Sequence, residues 1–91
     1  MSVKIGKYIY EKSNMKNKKL MTKVNNKIIH FGDSRYQQFK DKTGIYKSLD
    51  HGDKERRKKY LLRAKGIKNK KGDLTYQDPN SANYHAVRVL W

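Results

Sequence analysis

Apolar and polar residues alternate through the first ten positions. Val3, Ile5 and Ile9 stand against Lys4, Gly6 and Tyr8, and this period of two predicts a single half-buried strand. Residues 11–19 are polar and aperiodic, which predicts a loop carrying exposed lysines. Residues 20–24 and 27–31 are short runs rich in β-branched and aromatic side chains, separated by Asn25-Asn26. Asparagine tolerates the positive φ of a tight type I′ turn, so the two runs predict a hairpin. With the N-terminal strand it makes a three-stranded antiparallel sheet, stable only if one face is covered.

The cover comes from the rest of the chain. Gly32, Asp33 and Ser34 end the sheet, and residues 35–42 predict a short helix with Tyr36 and Phe39 on one side. Gly44 breaks it, and Ile45, Tyr46 and Leu49 form a turn that plugs the core. A helix over residues 54–65 is specified at both ends: Asp53 is its N-cap, Glu55 sits in the first turn, Arg63 and Lys65 in the last, and Gly66 follows. Tyr60, Leu61 and Ala64 share an arc predicted to face the sheet. Arg57 falls within that arc, which predicts a structural clamp to a carboxylate, with Asp33 and Asp50 as the candidates. Residues 67–77 are again polar and basic. Asp78-Pro79 then opens a C-terminal helix with Tyr84, Val87 and Trp91 at helical spacing beside Leu90, although Val87-Arg88-Val89 also suits a strand. The expected fold is α+β: a small three-stranded antiparallel sheet (N-terminal strand plus hairpin) covered by two or three short helices. It forms one basic domain over 1–91 with mobile basic loops at about 11–19 and 67–77.

Composition changes the picture in one direction. Hydrophobic residues make up 35% and charged residues 34% of 91 positions, against about 45–50% and 25% in ordinary soluble domains. Much of the chain is therefore surface, although ten aromatic residues supply a core. Twenty-three Lys and Arg against eight Asp and Glu give a net charge of +15, so the folded state repels itself and a polyanion relieves the repulsion. Nucleic acid, whose closely spaced phosphates release counterions to Lys and Arg, fits better than an anionic membrane. No apolar run reaches the length of a membrane span or a signal h-region, so the chain is expected in the cytosol at synthesis, with no membrane insertion. Cysteine is absent, which excludes disulfides and thiolate metal sites. His30, His51 and His85 lack metal-ligand spacing, so neither metal nor cofactor is expected.

The candidate binding residues are the nearly unopposed lysines of the two loops, Lys12, Lys16, Lys18 and Lys19, then Lys65, Lys68, Lys70 and Lys71. Between them lie Lys54, Lys58, Lys59 and Arg63 on the helix. Lysine outnumbers arginine and no groove-reading motif is present, so the contacts go to phosphate with little sequence specificity. Tyr36, Tyr46, Tyr60 and Tyr84 fall where the core needs bulk, and with only Tyr8, Tyr10 and Tyr76 free, stacking on bases is not the favoured mode. No catalytic residues are assigned. A metal-dependent nuclease built on His51, Asp53 and Glu55 with Arg56 or Arg57 is a remote alternative, since helix capping accounts for His51 and Asp53 more simply.

The stretch Ile29-His30-Phe31-Gly32-Asp33, then Tyr36-x-x-Phe39-x-Asp41-x-Thr43, then His51-x-Asp53-x-x-Arg56-Arg57-x-x-Tyr60-x-x-Arg63, and the closing Leu90-Trp91, resembles a family of small basic proteins of unassigned function from large DNA viruses and phages. The resemblance implies a virion protein made in the host cytoplasm. Its expected role is a virion-associated basic protein contacting DNA or another nucleic acid. The alternative is a minor capsid (cement) protein whose basic loops bridge the acidic surfaces of larger capsid subunits, present in many copies.

Overall fold

A computed structural model describes residues 2–91 and places four strands where the sequence suggested three. The first alternating run is two strands, β1 (Ser2–Ile5) and β2 (Tyr8–Lys12), folded back on each other through Gly6-Lys7, with Ile5 opposite Tyr8 and Val3 opposite Tyr10. Gly6 has φ +62°, a conformation glycine adopts without steric cost. Opposed residues share a face, so the two-residue turn inverts the parity of the pattern. Tyr8 and Tyr10 join Ile5 over the core, and Ile9 is left 57% exposed.

β3 (Lys18–Val24) and β4 (Lys27–Asp33) complete an antiparallel meander in the order β1-β2-β3-β4. Their turn uses Asn25 and Asn26 at φ +49° and +67°, the left-handed pair a type I′ turn requires. The loop expected over 11–19 contracts accordingly: Lys12 belongs to β2, and Lys18 and Lys19 to β3.

The helices depart from expectation in position more than in number. α1 (Lys54–Ala64) begins at Asp53, whose carboxylate accepts from the Glu55 and Arg56 N–H groups. It packs on the chain's other helix and the C-terminal residues; Tyr60 meets Trp91 there and Ala64 is buried. α2 (Ala82–Val89) is the element that covers the sheet, packing against β4. Its N-cap is Ser81, not Asp78, and it buries Tyr84, His85, Ala86 and Val89, with Leu90 following. The expected face through Val87 is rotated away because the sheet takes the strip centred on Ala86 and Val89. The core is Tyr10, Leu20, Phe31, Ala86, Val89 and Leu90.

No helix forms over 35–42. Gln38 pairs its backbone with Leu49 and His51 instead, and Asp33 and Asp41 accept the N–H groups of Arg35 and Thr43 two residues on, the local alternative that such residues offer to helix. Residues 67–77 are closed by a bridge between Lys68 and Leu74, with the Asn69 side chain accepting from Lys71 and Asp73 N–H, and by a 3-10 turn Thr75–Gln77.

His85 is fully buried at the centre of the core. Its Nε2 lies 2.7 Å from the Pro79 carbonyl, which can only accept, so Nε2 carries the proton and Nδ1 accepts the Tyr10 hydroxyl at 2.8 Å. Burial raises the Tyr10 phenol to about 12, which keeps it a donor, and burial lowers the His85 pKa below its ordinary 6.5.

Two tests follow from this packing. At Gly32 φ is +75° and an added Cβ would lie 2.8 Å from Leu90 Cδ1, whereas at Gly6 nothing stands within 4 Å. Gly6→Ala should cost about 1 kcal/mol from left-handed strain alone and Gly32→Ala about 2 kcal/mol or more, measured by urea denaturation. For His85 the unfolded chain binds the proton more readily than the folded one, so stability is full above pH 6.5 and falls as the pH drops below it. Urea midpoints should decrease from pH 7.5 to pH 5, and His85→Leu, less stable throughout, should show a flatter dependence.

Candidate nucleic-acid interface

α1 divides its cations between two sides. Arg56, Lys59 and Arg63, at i, i+3 and i+7, share one side, while Lys54, Arg57, Lys58 and Lys65 stand with Leu61 and Leu62 on the other. The first row borders a cleft of about 490 Å³ between α1, the end of β4 and the C-terminal Leu90-Trp91. Tyr60 and Trp91 form part of its wall, their rings stacked at 4.0 Å and 8°, with His51 against Trp91 at 5.3 Å. Burial raises the Tyr60 phenol, so it stays neutral. Tyr36, 65% exposed, also lines the cleft, and Arg56 donates to Gln37 Oε1 at 3.0 Å.

Negative charge is withheld from this cleft. Asp33, its one acidic lining residue, is paired with Arg35 at 2.7 Å, and that hydrogen-bonded guanidinium lowers the carboxyl to about 2. It is the single ion pair among the described residues. The row on α1 therefore has no carboxylate partner.

The residues expected to bind are not all brought together. Lys59 and Arg63 stand on the cleft, Lys54, Lys58 and Lys65 on the opposite groove, and Lys68, Lys70 and Lys71 in the exposed turn beyond α1. Lys12, over the Tyr46 ring at 5.9 Å, Lys16 and Lys18 lie exposed at the other end of the sequence. Lys19 is not available at all: it is 2% exposed and donates to Gln38 Oε1 at 2.5 Å. Desolvation lowers its pKa, opposed by Asp41, Asp33 and Asp50. The clamp expected at Arg57 is absent. Its Nε donates to the Trp91 backbone oxygen at 2.7 Å and its guanidinium lies over Phe39 at 5.1 Å. Asp33 holds Arg35, and Asp50 accepts from Gln38 Nε2 and Asp41 N–H. The aromatic assignments also change, since Tyr10 is buried and Tyr36 is exposed.

Tyr36 and Trp91 were missed as site residues, and Arg56 was weighed only for the nuclease alternative. The spacing of Arg56, Lys59 and Arg63 was visible in the sequence; the exposure of Tyr36 was not, because it depends on the loop failing to form a helix. At the mouth of α1, His51 Nδ1 accepts the Asp53 N–H at 2.8 Å and Asp53 caps the helix. Among the described residues no three His, Asp or Glu side chains converge to hold a metal ion, and no helix is long and apolar enough to cross a membrane.

The hydrogen bond from Lys19 supplies a test of what holds the cleft in shape. Gln38 is fully buried and its Nε2 donates to the Tyr46 carbonyl and Asp50. Gln38→Leu leaves the ammonium without its acceptor and should cost about 3 kcal/mol or more. In the double variant with Lys19→Met the destabilisation should be less than additive; denaturation of the four proteins measures the coupling.

Comparison with known proteins returns one family. No curated protein matches the chain, and no solved structure does. A family model described as "Family of unknown function (DUF5754)" matches residues 9–64, the segment from β2 through the whole of α1 that contains Tyr36, the Lys19–Gln38 pair and all three cations of the row. The match covers more than half of the chain, which therefore belongs to this family of unknown function, DUF5754.

Proposed function

We propose that this protein binds nucleic acid without catalysing a reaction on it, through phosphate contacts of low sequence specificity centred on Arg56, Lys59 and Arg63. The observation that carries this function is the unopposed row itself. Seven residues of helix span about 10 Å, so the row presents three cations within about 10 Å along the helix axis. Three cations held at that spacing by a capped helix meet a strand without reorganising. The lysines of the turn beyond α1 extend the positive field past the helix end. The resemblance in sequence adds a setting, the virion of a large DNA virus, where a basic protein of little specificity coats or contacts the genome.

A second role, as a minor capsid protein, is favoured by the opposite side of α1. Leu62 is 72% exposed and Ile67 47%, beside a groove of about 440 Å³ with Lys54, Lys58 and Lys65 around it. An apolar seat ringed by cations suits an acidic protein surface.

A salt titration separates the two. Duplex affinity should fall log-linearly with salt. Lys59→Gln with Arg63→Gln should flatten the slope by about 0.9 for each phosphate that is no longer neutralised, while Lys4→Gln with Lys23→Gln, on the uncovered face of the sheet, should leave it unchanged. A salt-independent or negligible affinity would remove the nucleic-acid role and leave the capsid one.

A further inference from the structure

We propose that the cleft beside α1 accepts an unstacked base, so that the protein prefers single-stranded nucleic acid to duplex. This rests on the phosphate-binding role of α1 and names the form of its partner. Two observations carry it, and neither is needed to bind a duplex.

The first is the exposed ring of Tyr36, lining the same cleft as the cation row. Exposing a large aromatic side chain to water is unfavourable, and no element of the fold covers this one. The Arg35 guanidinium lies 5.7 Å from the ring centre and makes two side-chain hydrogen bonds to Asp33, at 3.0 and 2.7 Å, so a cation stands beside the ring.

The second is the cleft itself. At about 490 Å³ it falls in the range of sites that hold a small molecule, whereas a duplex backbone lying along a helix needs only a surface. Its lining carries three aromatic rings, Tyr36 and the stacked pair Tyr60 and Trp91, together with the row of Arg56, Lys59 and Arg63. Arg63 lies 5.8 Å from the Tyr60 ring centre, a further cation beside an aromatic face. Bases of a duplex are already stacked and paired, so their faces cannot reach these rings. A single strand can follow the cation row with its phosphates and turn a base inward, and aromatic platforms beside basic grooves bind any base because each presents a π face. Weak sequence preference is retained.

Trp91 is the only tryptophan, so its emission reports on the cleft directly. The experiment uses the full chain with a fluorescein-labelled twelve-nucleotide oligo(dT) and a twelve-base-pair duplex, by anisotropy at fixed salt, together with Trp91 emission on adding unlabelled oligo(dT) or inorganic polyphosphate. The single strand should bind about tenfold tighter than the duplex. Tyr36→Ala should weaken the single strand about tenfold and leave the duplex unchanged, and Tyr36→Phe should restore it. Oligo(dT) should alter Trp91 emission where polyphosphate does not. Equal affinity for both forms, or an equal effect of Tyr36→Ala on both, overturns the inference; if Lys59→Gln with Arg63→Gln still weakens both, the phosphate-binding role stands. If that pair weakens neither, the role falls with it.

Discussion

Lys19 is a buried ammonium, and the arrangement around the cleft depends on how it is satisfied. Taking a lysine out of water costs several kcal/mol unless it is well partnered, and here the direct partner is the amide of Gln38. Gln38 turns its other end to Tyr46 and Asp50; Asp50 also accepts the Asp41 N–H, and Asp41 accepts from Thr43 and Tyr46. One cation thereby fixes the loop from Gln38 to Asp50 against β3. Three carboxylates close enough to favour the charge keep the ammonium from being abandoned to a low dielectric.

This explains why so basic a chain presents so unopposed a surface. Of the six aspartates, Asp33, Asp41, Asp53 and Asp78 each accept a backbone N–H within a turn or cap, and Asp50 accepts the Asp41 N–H across the loop. Their charges are committed to holding irregular backbone, which a small sheet with two short helices has in abundance. Few of the cations have such a duty: Lys19 is buried, Arg57 and Lys42 donate to backbone oxygens of the C-terminal segment, and Arg35 pairs with Asp33, while most of the others stay exposed. The positive field is therefore a consequence of how the loops are built as well as of composition.

Local chemistry was legible where a residue type alone decides the conformation. Asn25-Asn26 makes its turn and Asp53 its cap because both depend only on neighbours. The fourth strand was not legible in the alternation, because Gly6-Lys7 inverts parity and the run of Val3, Ile5 and Ile9 mixes two faces. Nor was the burial of Lys19, whose acceptor lies nineteen residues away, in a segment whose tyrosine and phenylalanine spacing mimics a helix. The exposure of Tyr36 has the same origin: without the helix, its ring has no core to enter. Of the candidate cleft, the cation spacing could be read and the aromatic wall could not, since Trp91 reaches Tyr60 only through the packing of α2 on the sheet.

The two sides of α1 show how these features combine. The stack of Tyr60 on Trp91 and the bond from Arg57 to the Trp91 backbone fix the helix's rotation about its own axis. With that rotation set, the i, i+3, i+7 row must face the cleft and Leu62 must face away. With little but Ala64 fully buried, the helix has few other contacts to set its orientation. The aromatic stack thus orients the cation row as the Lys19 network anchors the loop from Gln38 to Asp50, and both border the cleft.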